Sequence, residues 1–237
     1  MNYYPYNPSF DGENLQWREF YFGNVNNLLL LLELRENGSL ERIDECYQDM
    51  FELALWQGWF EIAEILVQKG VNVNATVIEK RRTLLHQFIQ DRRLDIVSRL
   101  IDYGADLTWH CYVGSIDTPL HRAVYFNLPE IVERLLAGGA PIDILDCMEI
   151  TPIEIAVEQG NRELVSLLLA RGAAVSLHVA AAIGDTETID RYLKAGGDSN
   201  IRLGMGYGCP LLYAAAAHDR IDVAKLLIKA GAIIDLE

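Results

Sequence analysis

The sequence predicts an all-α solenoid, in which pairs of antiparallel helices repeat along the chain and stack on one another. The first observation behind this prediction is a glycine that recurs at spacings of 34, 35, 33, 24 and 35 residues. The six positions are Gly70, Gly104, Gly139, Gly172, Gly196 and Gly231. The second observation is an apolar i, i+3, i+4 pattern before each glycine, which places one apolar stripe on one face of a helix.

The second helix of each pair lies directly before its glycine. In the third unit, Ile131 and Leu135 carry the apolar stripe that precedes Gly139. Glycine suits the left-handed position just past a helix end, because a Cβ atom would clash there. We therefore expect each second helix to end immediately before its glycine.

The first helix of each pair begins about twenty residues before the same glycine. The clearest starts are Thr118-Pro119 and Thr151-Pro152. Threonine can cap a helix N-terminus, and proline at the first helical position loses nothing because its N–H would have no helical partner. Weaker starts lie at Thr83 and at Cys209-Pro210.

The complete pattern resembles the ankyrin repeat family. The matching features are the Thr-Pro-Leu-His-x-Ala start at 118–123, the Leu/Ile-x-x-Leu-Leu helix, and the glycine-alanine turn that ends in Asn or Asp, as at 139–143. The resemblance implies six repeats over residues 49–237, each a helix pair with a β-turn finger, stacked so that neighbours complete one core. The fifth repeat is short, and we expect it to lack its finger.

The first 48 residues do not match the repeat pattern. We expect residues 11–48 to form a degenerate N-terminal helical cap, because an end repeat must shield the core on one side. Residues 1–10, which hold three tyrosines, form either a loose tail or a strap across the first helices. The strap is favoured, because exposed aromatic clusters are unfavourable.

The charge balance bears on the class of partner. The chain has 20 basic and 34 acidic residues and a formal net charge of −14. This balance argues against nucleic acid, whose phosphates need a basic face, and against an anionic membrane surface. A protein partner, and in particular a basic one, stays open.

The compartment is predicted from cysteines and apolar runs. The four cysteines form no Cys-x-x-Cys pair and are too few for a disulfide framework, so we expect reduced thiols in the cytoplasm. The apolar run 28–32 falls far short of the roughly 20 residues that a membrane helix needs.

The histidines and cysteines that could carry chemistry are more readily explained by structural roles. His86, His121 and His178 occupy the family's Thr-Pro-Leu-His position, where the resemblance implies hydrogen bonds that tie adjacent repeats. His218 is expected to begin the last second helix, and Cys209, like Cys46, to pack within a helix.

We predict neither a cofactor nor an enzyme. His110, Cys111 and Cys147 lack the fourth ligand of a zinc site, and no nucleophile motif is present.

The candidate binding surface comes from side chains that the fold does not need. Within the resemblance, the end of each first helix and the neighbouring fingers face the concave side, where this family binds its partners. Aromatic and methionine side chains are enriched at the centres of protein interfaces. The candidate partner-binding residues are Trp56, Gln57, Gln90, Asp91, Trp109, Tyr112, Tyr125, Phe126, Met148, Glu158, Gln159 and Tyr207.

The predicted function is non-catalytic protein recognition, as an adaptor or scaffold that is a monomer on its own. The alternative is a stoichiometric inhibitor of a basic enzyme, similar to an immunity protein or antitoxin, which the acidic balance motivates. A self-assembling repeat protein is a third class. The net charge does not discriminate among these three functional classes, since acidic proteins are common.

Overall fold

Helical hairpins make up most of the chain in the computed structural model, which describes residues 47–77, 82–110, 118–203 and 209–234. Two compact units divide the chain, residues 1–73 and residues 74–237. The segment 1–10 and all but the last two residues of the expected cap 11–48 lie outside the described residues. The first helix of the predicted repeats begins at residue 47.

The first unit contributes one described helix pair, α1 (Tyr47–Gln57) and α2 (Phe60–Gln68), which pack against each other. The chain reverses between them at Gly58, whose φ is +76°. The side chains that α1 and α2 bury recur at helical spacing, which gives each helix one apolar face. They are Met50, Phe51, Ala54, Leu55, Ile62, Ala63 and Leu66.

The second unit contains five helix pairs in its described residues. They are α3 (Leu84–Gln90) with α4 (Leu94–Asp102), α5 (Pro119–Tyr125) with α6 (Pro129–Ala137), α7 (Pro152–Glu158) with α8 (Arg162–Ala170), α9 (Leu177–Ile183) with α10 (Thr186–Lys194), and α11 (Leu211–Ala217) with α12 (Ile221–Lys229). Within each pair the two helices pack together, and the first helices α3, α5, α7, α9 and α11 pack in succession. This arrangement confirms the all-α ankyrin solenoid.

Polar side chains cap the starts of α5 and α7, as the sequence predicts. Thr118 accepts a hydrogen bond from the backbone N–H of His121, with Pro119 at the first helical position. At the start of α7, the Glu154 carboxylate accepts from the backbone N–H of Thr151 at 3.0 Å. These bonds satisfy donors that a helix end leaves open.

The second helices end on left-handed glycines. At the end of α4, Gly104 has a φ of +83° and donates to the carbonyl of Ile101, and Ala105 donates to Leu100. These two bonds close the last turn of the helix. All six recurrent glycines have φ between +83° and +94°.

Side chains in the turns after the second helices connect neighbouring repeats. The Asn74 side-chain oxygen accepts from the backbone N–H of Asp106 at 2.8 Å, and Asp143 accepts from Ala174 at 2.9 Å. In the same way, the side-chain oxygen of Asn200 accepts from the backbone N–H of Ile233. The Asn or Asp of the repeat pattern therefore sets the spacing between turns.

The fingers differ in length and structure. Short antiparallel strands close two of them, β1 (Thr76–Val77) with β2 (Arg82–Thr83) and β3 (Arg202–Leu203) with β4 (Cys209–Pro210). The expectation that Cys209 packs within a helix is wrong, because its backbone pairs with Leu203 before α11 begins. Residues 171–176 alone connect α8 to α9, whereas residues 138–151 connect α6 to α7.

Candidate partner-binding surface

The ends of the first helices in the second unit bring predicted site residues to equivalent positions. Just after α3, α5 and α7 the backbone turns through a left-handed residue, Arg92, Asn127 or Gly160, with φ between 53° and 65°. The two residues before each turn are Gln90-Asp91, Tyr125-Phe126 and Glu158-Gln159. In the first unit, Trp56 and Gln57 precede Gly58 in the same way.

An aromatic pair stands at the end of α5. Tyr125 is 47% exposed, whereas the neighbouring Phe126 is half-buried. Their ring centroids lie 5.4 Å apart with an interplanar angle of 84°, the edge-to-face geometry that aromatic rings prefer. Phe126 therefore supports an aromatic ring that presents much of its surface to solvent.

The remaining aromatic and methionine candidates divide into three groups. Trp56 in the first unit is 42% exposed, as is Met148 in the finger before α7. Trp109 is half-buried where its finger begins. Tyr112 and Tyr207 lie outside the described residues.

Two of the candidate glutamines, Gln90 and Gln159, bond across repeats, a role that the sequence did not indicate. Gln90 Oε1 accepts from Arg82 Nη1 at 3.0 Å and from Arg122 Nη1 at 3.1 Å. Gln159 Nε2 donates to the backbone carbonyl of Tyr125 at 3.0 Å. Gln159 thus holds the backbone that carries the exposed aromatic ring, which would keep that ring in a fixed position for binding.

Two carboxylates lie one helical turn apart on α7. Glu154 accepts from the hydroxyls of Thr151 at 3.1 Å and Ser176 at 2.9 Å, the second of which connects it to the next repeat. Glu158, the last residue of α7, is exposed. Partial loss of hydration, and secondly the charge of Glu154, raise the pKa of Glu158.

Asp91 is the other charged candidate. It is exposed and accepts a hydrogen bond from Gln87 Nε2 at 2.9 Å, across one turn of the same helix. This bond keeps its carboxylate at the end of α3.

One of the buried histidines, His121, bonds the neighbouring repeat as the family resemblance implies. Nδ1 of His121 is hydrogen-bonded to the Thr118 hydroxyl at 2.7 Å, and Nε2 to the carbonyl of Ile150 in the next repeat at 2.9 Å. His86 makes the corresponding bond to the Thr83 hydroxyl at 2.8 Å. His218 does not begin a second helix, as was expected, because it directly follows α11 and α12 begins only at Ile221.

His178 differs from the other two buried histidines. It is 4% exposed, and its buried Nδ1 has no hydrogen-bond partner among the described residues. The cap of α9 is Ser176, two residues before His178, whereas Thr83 and Thr118 cap their helices three residues before His86 and His121. The Ser176 hydroxyl bonds Glu154 and the backbone N–H of Val179, so the His178 nitrogen is left without the hydroxyl that the other two histidines contact.

His178 also predicts a dependence of stability on pH. Burial lowers its pKa from 6.5, which outweighs the opposing charge of Glu154, and the nearby His218 lowers it further. The unfolded chain therefore takes up the proton first, and the free energy of unfolding falls as the pH drops below 6.5 towards the folded-state pKa. We expect His178→Gln to lose less stability than the wild type over this window, measured by denaturation at several pH values. Parallel pH curves would contradict it.

In the part of the chain that the structure describes, no group of three or more His, Cys, Asp and Glu side chains comes together as metal ligands would. None of the helices in the same ranges has the length and apolar character to cross a membrane.

Comparison with known proteins agrees with the fold. The family model for ankyrin repeats in three copies matches residues 52–146 and 110–176, and the single ankyrin repeat model matches residues 207–237. The chain is 38% identical over 91 residues to the ankyrin repeat domain-containing protein SAT10 of Stachybotrys chartarum, which covers 38% of this chain and 4% of that protein.

Two animal proteins are also similar. Human NF-kappa-B inhibitor alpha is 32% identical over 120 residues, or 51% of this chain and 32% of that protein. The mouse B-cell lymphoma 3 protein homolog is 28% identical over 149 residues, or 62% of this chain and 32% of that protein. The chain thus spans about a third or less of the length of these relatives. With its repeats matched over more than half its length, the chain belongs to the ankyrin repeat family, a generally non-catalytic family of protein-interaction modules.

Proposed function

We propose that the chain is a non-catalytic adaptor or scaffold in the cytoplasm that binds a partner protein through its groove face. By groove face we mean the C-terminal ends of α3, α5 and α7 with the adjacent fingers. Tyr125 is the observation that carries the proposal, because an aromatic ring on a half-buried aromatic support has the geometry of an interface anchor. Trp56 and Gln57 occupy the equivalent helix end of the first unit.

The charge of this face favours a basic partner. Asp91 and Glu158 are exposed at the ends of α3 and α7, and the chain as a whole carries a formal charge of −14. Complementary charge speeds the encounter of two proteins and suppresses wrong partners. The raised pKa of Glu158 marks a negative charge that its surroundings do not compensate, so a lysine or arginine of the partner would stabilise it.

A second candidate is stoichiometric inhibition of a basic enzyme. One relative, NF-kappa-B inhibitor alpha, is named as an inhibitor, although this chain covers only 32% of that protein. An acidic face that covers a basic active site would inhibit without any chemistry of its own.

Affinity capture from the source cell, followed by an activity assay on the captured protein, tests both candidates. Wild-type chain should capture a protein that a Tyr125→Ala, Phe126→Ala chain does not. Loss of the captured protein's activity at one equivalent would favour the inhibitor, and unchanged activity would favour the adaptor. Equal capture by both chains would contradict partner binding through the groove face. Turnover of a substrate by the purified chain would contradict the non-catalytic function.

A further inference from the structure

Two arginines from neighbouring repeats meet at the α3 end of the groove face. Arg82 lies in strand β2, just before α3, and its Nη1 donates to Gln90 Oε1 at 3.0 Å. Arg122 lies in α5, and its Nη1 donates to the same oxygen at 3.1 Å. One amide oxygen therefore stands between two guanidinium groups. We call Arg82, Gln90 and Arg122 the arginine site.

The fold does not require a charge at the position of either arginine. The α7 repeat has isoleucine at both equivalent positions. Ile150, directly before the capping threonine, corresponds to Arg82, and Ile155, the fourth residue of the helix, corresponds to Arg122. Ile150 is 1% exposed and Ile155 is 5% exposed, so apolar side chains meet the packing needs of these positions.

Burial makes the two positive charges unfavourable. Arg122 is 3% exposed, and the buried Nε of Arg82 has no hydrogen-bond partner within the described ranges. A guanidinium group cannot give up its proton when it is buried, and the amide of Gln90 has no net charge with which to neutralise it. Asp91 is exposed at the same helix end, but one carboxylate does not cancel two guanidinium groups.

The chemistry of the arginine side chain selects the class of ligand. A guanidinium group presents its N–H donors in a planar fork that matches the oxygens of a carboxylate or a phosphate. An oxyanion at the arginine site would offset the repulsion between the two positive charges and would accept from donors such as the Arg82 Nε.

The arginine site is one of three different groups in line on the groove face. Gln90, Tyr125 and Glu158 are the last residues of α3, α5 and α7, and these three helices pack in succession. Because packed helices lie about 8–10 Å apart, the groove face presents positive charge, an aromatic ring and negative charge in that order over about 20 Å.

We propose that the arginine site binds a carboxylate side chain of the partner protein, while Glu158 binds a basic side chain of the same partner. The partner segment would then lie along the groove face in one direction only, with an apolar pocket for Tyr125 between its two charged groups. This inference rests on the proposed function, since it specifies the partner bound there. It refines the basic partner of that proposal to one with an acidic residue about 20 Å from a basic one.

A hexaglutamate peptide tests the arginine site without the partner. Titrated into the isotope-labelled wild type at low salt, it should shift the backbone amide signals around Gln90 and Arg122, although the net charge of −14 repels it from the rest of the chain. The Arg82→Gln, Arg122→Ile chain should lose these shifts. The matched control is Arg162→Gln, Arg191→Gln, which removes two exposed arginines of α8 and α10 and should respond like the wild type.

Inorganic phosphate distinguishes the source of the oxyanion. If phosphate bound at the arginine site and hexaglutamate did not, the site would serve a free anion, and the proposed carboxylate of the partner would be wrong. Absence of shifts with hexaglutamate in the wild type, or equal shifts in the Arg82→Gln, Arg122→Ile chain, would also overturn the inference. Circular dichroism checks that the variants fold, and Arg82→Gln alone repeats the test if the double variant is unfolded.

The captured partner then tests the direction of binding. Its Kd should rise roughly tenfold or more for the Arg82→Gln, Arg122→Ile chain, because a buried carboxylate would lose its ion pair. A partner that binds this chain like the wild type, yet fails to bind the Tyr125→Ala, Phe126→Ala chain, would overturn the arginine site and leave the proposed function in place. If the wild type captures no partner, the proposed function fails and this inference fails with it, even where hexaglutamate binds.

Discussion

Leu135→Ala is expected to lower the free energy of unfolding by roughly 2–5 kcal/mol. Leu135 is 0% exposed on α6, which packs against α5 of its own repeat and α4 of the repeat before. Truncation removes buried apolar surface and leaves a cavity, since two packed helices cannot collapse fully around it. The backbone carbonyl of Leu135 also accepts a hydrogen bond from the N–H of Ala140 in the following turn, which fixes the backbone at this position.

Chemical denaturation of the wild type and the variant measures this loss. Leu145→Ala makes the same chemical change at a residue that is 49% exposed, and it should cost less than about 1 kcal/mol. Because repeats are stabilised by their neighbours, the Leu135 variant should also unfold less cooperatively than the wild type. Equal losses for the two leucines would contradict the packing described for α6.

Replacing Tyr125 and Phe126 together by alanine is expected to weaken partner binding by more than about 2 kcal/mol, or roughly thirtyfold in Kd. The exposed ring of Tyr125 would fill a pocket of the partner, and Phe126 holds it edge-to-face at 5.4 Å. The Gln159 bond to the Tyr125 carbonyl does not involve either side chain, so the backbone should stay in place.

The measurement is a titration of the captured partner with the wild type and the double variant, together with their melting temperatures. Tyr213→Ala is the matched control, because Tyr213 is an exposed tyrosine of a first helix outside the groove face. Its Kd should equal that of the wild type. A large fall in the melting temperature of the double variant would mean that these aromatic residues belong to the core instead.

Local sequence determined where the repeating elements begin and end. The recurrent glycines adopt the left-handed conformation after the second helices, and Thr118 caps α5 as predicted. Both features depend on the backbone conformation and hydrogen bonds of a few consecutive residues, which is why a single sequence reveals them. The same holds for the apolar stripe around Leu135, because a helical period is a local property.

The candidate site was only partly predictable. The ends of the first helices follow from the repeat pattern, so Tyr125 and Glu158 could be placed at equivalent positions. The hydrogen bonds from Arg82 and Arg122 to Gln90 join residues 8 and 32 positions apart, and no local pattern marks such pairs. Tyr112 and Tyr207 lie outside the described residues and stay predictions.

By itself, then, the sequence determined the repeat, its helix ends and its acidic character, because each is a property of neighbouring residues or of composition. Only the tertiary structure decided which polar side chains meet across repeats. Arg122 bonds Gln90 and Gln159 bonds the carbonyl of Tyr125 because stacking brings adjacent repeats together, and no residue's own neighbours in the chain reveal such partners.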